Sequence, residues 1–165
     1  MQAPPIRKDG LQLDEKRKFH RAFWVVERIA WVAFALVLVL ALTGLTGSGG
    51  PLSKVTVSFP AGEADHPRVA RWEASDELLV RFNGGAETRR LALDHSFFEY
   101  FEVEGVQPEP ERTLTGPDGV VMEFSAEQSA PIRVIIYLRA LHAGLVNYRI
   151  GLDDSTAEAS TIILP

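Results

Sequence analysis

The chain has 165 residues, with 17 Lys and Arg against 22 Asp and Glu, a net charge of −5 and no cysteine. That length holds one folded domain of about 110 residues beside a short appendage. The missing cysteines exclude disulfides, thiolate catalysis, iron–sulfur clusters and Cys-ligated zinc. Charge is unevenly divided: residues 1–51 carry 7 basic and 4 acidic side chains, and residues 52–165 carry 10 and 18. An acidic second part argues against nucleic acid or anionic lipid as its partner.

Residues 1–21 form a basic N-terminal segment, flexible through Pro4-Pro5 and helical in pattern from Asp14, which suits an N-cap with Glu15 in the first turn. One helix is predicted from Lys16 to Leu45. From Ile29 to Leu42 it has fourteen residues without a charged side chain or any small polar one. Residues 22–47 are therefore assigned as a transmembrane helix, since about 20 apolar residues cross about 30 Å of hydrocarbon. Arg7, Lys8, Lys16, Arg17, Lys18 and Arg21 precede the span, and only scattered basic residues follow it. The positive-inside rule then keeps the N-terminus cytoplasmic, with Trp24 and Trp31 near the inner interface. A cleaved signal peptide is the alternative. It calls for a shorter apolar region of 7–15 residues and a small-x-small site, for which only Thr46-Gly47-Ser48 is on offer.

The helix offers a seam. At 100° per residue Ala30, Ala33, Val37, Ala41 and Gly44 share a stripe about 80° wide, where small side chains allow another helix to approach closely. Leu36, Leu38 and Leu42 lie opposite, suited to lipid. Glu27 and Arg28 are charges at the membrane edge, read either as functional or as simple snorkelling. With no histidine between Arg21 and Leu52 the span has no imidazole to hold a haem or a chlorophyll, so no cofactor is expected.

Residues 48–53 form a linker, because Gly47-Ser48-Gly49-Gly50-Pro51 breaks the helix. Residues 54–165 read as strands. Lys54–Phe59 alternates and stops at Pro60, Gly62–His66 is a polar loop, and Arg68–Glu73 alternates again with Trp72 suited to the core. Leu78–Phe82 and Thr88–Leu93 flank Asn83-Gly84-Gly85, a strong hairpin signal. His95–Phe101 fits neither helical nor strand period. Glu102–Val106 runs into Gln107-Pro108-Glu109-Pro110-Glu111, an edge or connector where proline bars central pairing. Gly116-Pro117-Asp118-Gly119 turns into Val120–Phe124. Ile132–Leu138 is the most apolar strand, expected to be central. Leu145–Leu152 and Thr161–Leu164 follow, separated by Asp153-Asp154-Ser155. About eight short strands with no second helix predict an all-β, immunoglobulin-like β-sandwich preceded by one transmembrane helix. Ala143-Gly144 ahead of Tyr148 matches the corner that enters the penultimate strand of such sandwiches.

Gly49–Ser53, the run Val103–Arg112 and Gly116-Pro117-Asp118-Gly119 together resemble a group of small, uncharacterised bacterial membrane proteins. These pair one N-terminal helix with a β-rich outer domain. The resemblance implies that architecture and brings no chemistry with it.

Catalytic patterns are missing from the sequence. It has no His-Glu-x-x-His, no Gly-x-Ser-x-Gly and no phosphate loop ending in Gly-Lys-Ser/Thr. His66, His95 and His142 are read as solvated loop residues, with convergence of Asp94, His95 and His142 on a metal as the alternative. Asp153-Asp154 lacks the spaced carboxylates of a calcium loop and is read as a polar turn.

The expectation is therefore a non-enzymatic accessory subunit of a bacterial inner-membrane complex (respiratory, photosynthetic or transport). Its helix and outer domain would contact the complex, and lipid would surround the span. A tethered periplasmic module that binds a soluble ligand or protein is the alternative. The charge asymmetry sets a topological outcome: a reporter active only outside the cytoplasm should work after Pro165 and fail before Met1. The reverse pattern would overturn the orientation.

Overall fold

The computed structural model describes residues 17–43, 52–125 and 130–165. They fall into two units, one helical and one built of strands. Asp14, Glu15 and Gly44 through Pro51, named above as cap, seam end and linker, lie outside the described residues.

Helix α1 spans Arg17–Leu42, inside the predicted Lys16–Leu45. Its stretch Phe19–Leu42 has 24 residues, charge-free from Ile29 onward, and is long enough to cross a membrane at about 1.5 Å per residue. No side chain in that stretch is buried. Beyond the last turn the Thr43 hydroxyl donates to the Leu40 carbonyl at 2.9 Å, satisfying one of the acceptors a helix end leaves open.

The second unit has eleven strands among its described residues, in two sheets. They are β1 (Lys54–Phe59), β2 (Gly62–Pro67), β3 (Val69–Arg71), β4 (Ser75–Phe82), β5 (Thr88–Leu93), β6 (Phe101–Gln107), β7 (Arg112–Gly116), β8 (Gly119–Ser125), β9 (Ile132–Ala140), β10 (Gly144–Leu152) and β11 (Ser155–Leu164). A short helix α2 (His95–Tyr100) lies between β5 and β6. The first sheet runs β1-β2-β4-β9-β6 and the second β3-β11-β10-β5-β8-β7. All pairings are antiparallel except β3 with β11.

Alternation along each strand sends one row of side chains into a single core between the sheets. Leu78, Val80 and Phe82 with Val134, Ile136 and Leu138 come from the first sheet. Leu91, Leu93, Met122, Phe124, Ile150 and Leu152 come from the second. This is the sandwich-like, mostly β unit that the alternation predicts.

Several local expectations are corrected. Gly62–His66 is a strand rather than a polar loop, because the turn at Pro60-Ala61 folds it back in register with β1. The Asn83-Gly84 turn does not close a hairpin. Both edges of β4 are already occupied, by β2 and β9, so the chain crosses to the other sheet, where β5 pairs with β8 and β10. His95–Phe101 resolves into α2 followed by the start of β6. The Asp94 side chain caps α2 by accepting from the Phe97 N–H at 3.1 Å. Trp72 is 50% exposed instead of buried, since it follows the end of β3 and is held at the sheet end by an isolated bridge to Ala140 and one backbone bond to Leu164. Ile132–Leu138 lies in β9, interior to its sheet as its apolarity suggests, and β6 is an edge strand ahead of Pro108. Strand β7 went unpredicted because its whole length is exposed and leaves no alternation to read.

The β7–β8 hairpin depends on Gly119. At φ +133 an added Cβ would lie 2.1 Å from the Leu93 carbonyl oxygen, whereas one on Gly116 would meet nothing. Gly119→Ala should therefore lower stability by roughly 1–3 kcal/mol or more, the scale of backbone strain at such positions. Gly116→Ala should be close to neutral. Equal denaturation midpoints for the two variants would contradict this hairpin geometry.

Candidate functional site

On α1 the seam residues Ala30, Ala33, Val37 and Ala41 are all exposed. Gly44 lies outside the described residues. Arg28 stacks its guanidinium over the Trp24 ring one turn earlier, 4.3 Å from the centroid, a geometry that holds its charge by cation–π attraction. Glu27 borders a shallow depression with Ala30, Trp31 and Phe34.

In the sandwich the chemistry-bearing side chains separate rather than converge. His95 is the exposed first residue of α2, and His142 lies exposed in the β9–β10 loop, edge-on to Tyr100 at 6.4 Å. Asp94 is committed to its capping bond and to Arg149, 3.6 Å away. Among the described residues no group of three or more His, Asp or Glu side chains is placed to hold a metal.

His66 is the surprise: it is 2% exposed on β2, so the solvated-loop reading is corrected. Its Nδ1 lies 3.2 Å from the Pro67 carbonyl and 3.3 Å from the Tyr148 hydroxyl. The Thr161 hydroxyl donates to Pro67 O at 2.6 Å, so Tyr148 donates to Thr161 at 3.0 Å. This assignment leaves the His66 Nδ1–H facing two oxygens and gives both hydroxyls an acceptor for their protons. Burial pushes the His66 pKa down and the Tyr148 pKa up, so both stay neutral at pH 7. The cluster is closed and internally hydrogen-bonded, which suits a structural pin. The composition of Gly62–Pro67 disguised it. The available signal was its position directly after a two-residue turn from an alternating strand.

A second pin holds the crossing between the sheets. Arg89 is 8% exposed, donates to Asp153 at 2.6 Å, and also reaches the carbonyls of Asn83 and Gly84. Asp153, at φ 51, accepts the Arg90 N–H as well. The polar turn read at Asp153-Asp154 is therefore the anchor for a buried arginine. Removing one partner of such a pair is costly because the other charge stays buried.

The two outer faces differ. Ion pairs Lys54–Glu77, Arg81–Glu63, Arg81–Asp65 and Arg139 with Glu102 and Glu104 lace the first sheet. The second sheet carries an apolar row, Leu114-Val121-Ala92-Gly151, in register across four strands. Small Ala92 and Gly151 floor an open depression of about 320 Å³ walled by Leu114 and Pro117. A polar depression of about 700 Å³ shares Asp94 and Arg149 with it and extends toward Asn147 and Glu158. Together they can hold a flat or extended apolar group with a polar end. None of their residues forms a nucleophile–base pair.

No protein-family model and no curated protein matches this chain.

The buried histidine sets a pH response. Its native pKa lies below the unfolded value of 6.5, so the unfolded chain binds the extra proton first as pH falls. Its contribution is complete above pH 6.5 and declines below it. Thermal stability should thus hold down to about pH 6.5 and fall as the pH is lowered further. His66→Asn, which keeps a polar group near Nδ1 and does not titrate, should flatten that slope. An unchanged slope would assign the response to other groups.

Proposed function

We propose that this chain is a non-enzymatic, single-pass accessory subunit of a bacterial inner-membrane complex. In this reading α1 crosses the membrane with its N-terminus in the cytoplasm, and the sandwich covers or braces the complex on the periplasmic side. The observation that carries the reading is the 24-residue candidate span Phe19–Leu42, charge-free from Ile29 onward and with no buried side chain, together with a sandwich that closes its own core. A helix apolar all round needs an apolar medium. The charge-free run Ile29–Leu42 has 14 residues, the upper end of a signal-peptide core, and a helix that extends a further 12 residues ahead of that run favours a retained anchor. The alanine stripe supports close approach by a second helix, because packing is the main attraction between helices in lipid.

The strand order supports an immunoglobulin-like sandwich. In this reading β4-β9-β6 correspond to B, E and D, and β11-β10-β5 to G, F and C. Parallel pairing of β3 with β11 fits an A′ strand. Tyr148 lies on the penultimate strand, although its hydroxyl bonds to side chains rather than to the backbone upstream. The β7–β8 hairpin departs from the pattern: it adds to the C side but follows D in sequence.

The second reading is a membrane-tethered module that binds a soluble ligand or protein. The depression over Ala92 and Gly151 favours it, being the concave, mainly apolar part of the sandwich surface.

Mild detergent extraction separates the two, since an accessory subunit brings its complex along. Ala33→Leu or Ala41→Leu should reduce that copurification several-fold while membrane insertion persists, because leucine favours insertion. Leu38→Ile, on the opposite face, should change little. Equal tolerance on both faces, with an unrelated span able to replace α1, would move the tethered module to first place.

A further inference from the structure

Among the described residues from Leu52 onward six large apolar side chains are exposed, and four of them lie on neighbouring backbone: Leu52 (43%), Trp72 (50%), Leu145 (66%) and Ile162 (47%). The backbone places them together. The Arg68 N–H donates to the Ser53 carbonyl at 2.7 Å, and the Ile162 N–H donates to the Arg68 carbonyl at 3.0 Å. Ile162 pairs with Leu145 across the β10–β11 ladder, and the Trp72 N–H donates to Leu164 O at 2.8 Å. The cluster thus occupies the end of the sandwich where the chain arrives from α1.

Two cations sit in the same patch. Arg68 precedes β3 and Arg71 ends it; both are exposed, and neither has an ion-pair partner among the described residues. The neighbouring acid, Glu73, acts on Arg139 of the first sheet. Arg81 and Arg139 of the opposite outer face, by contrast, are paired with carboxylates. The acidic net charge of residues 52–165 therefore conceals a local cationic and apolar surface.

We infer that this patch rests on the surface of an anionic bilayer, with Trp72 at headgroup depth and Arg68 and Arg71 on lipid phosphates. The inference rests on the membrane-anchor reading above. A tryptophan beside apolar side chains suits the polar–apolar boundary, and unpaired arginines complement anionic headgroups. Leu52 follows Leu42 by ten residues, a tether of at most about 35 Å when fully extended. Such a tether keeps the patch at high effective concentration near the bilayer, so a contact too weak to recruit a free protein is enough.

Trp72 is one of three tryptophans, so the full chain carrying Trp24→Phe and Trp31→Phe reports on it alone. This chain would be reconstituted into vesicles of brominated phosphatidylglycerol or brominated phosphatidylcholine, floated on a density gradient, and its fluorescence read. The expected result is flotation, with Trp72 quenched in phosphatidylglycerol, and quenching reduced about twofold or more by Arg68→Glu with Arg71→Glu. Flotation with Trp72 unquenched in both lipids overturns the patch and leaves the anchor standing; the same exposed surface would then be a protein contact. Equal quenching in both lipids, unaffected by the charge reversal, overturns the role of the arginines. Failure to float overturns the anchor reading and the patch with it.

Discussion

The tyrosine at position 148 is where the sandwich is tied together. Its ring packs against Phe97 at 5.2 Å and Phe101 at 5.9 Å, joining β10 to α2 and β6, while its hydroxyl reaches Thr161 on β11 and His66 on β2. A phenol buried this deeply is tolerated only with its hydroxyl paired, and the pairing specifies which strands meet. The two sheets are thus locked in one relative arrangement by a contact that apolar packing alone would leave adjustable. Arg89 does the corresponding work at the opposite end, where its guanidinium gathers the carbonyls of the β4–β5 crossing and the Asp153 turn.

With both ends pinned from inside, the outer faces are released from structural duty and can diverge. The first sheet spends its exterior on ion pairs within its own strands, a surface that is solvated and self-satisfied. Such pairs add little stability each, and their effect is to leave few charges for a partner. The second sheet is built differently: small residues Ala92 and Gly151 hollow its middle, and larger apolar groups border the hollow. Its far edge, toward β3, carries the arginines and Trp72. Under the proposed anchoring such asymmetry would give the tethered domain a preferred face, which a uniform surface would not.

Long-range pairing was the hardest part to read from residues. Asn83-Gly84 carries the composition of a tight hairpin, and its local preference for a turn is satisfied. Whether that turn joins neighbours or crosses between sheets depends on β2 and β9 having already taken both edges of β4. The strand at Gly62–Pro67 has few strand-favouring residues and exists because β1 and β4 offer it hydrogen bonds on both sides. His66 looked solvated because a charged or polar side chain in a Pro- and Gly-flanked segment usually is. Its burial follows from a register fixed elsewhere.

What the sequence by itself determined were the features with a strong local period or a strong local exclusion. The apolar run of Ile29–Leu42 dictates a helix with no polar face. The alternation in Lys54–Phe59, Thr88–Leu93 and Leu145–Leu152 dictates strands with one buried side. The absence of cysteine removes whole classes of chemistry. Only the tertiary structure decided which strands share a sheet, that Asp153 holds a buried arginine, and that Arg68, Arg71, Trp72, Leu145 and Ile162 form one surface. Those residues are separated by as many as 94 positions. Their proximity arises from hydrogen-bond ladders between distant strands, and no local propensity encodes which ladder will form.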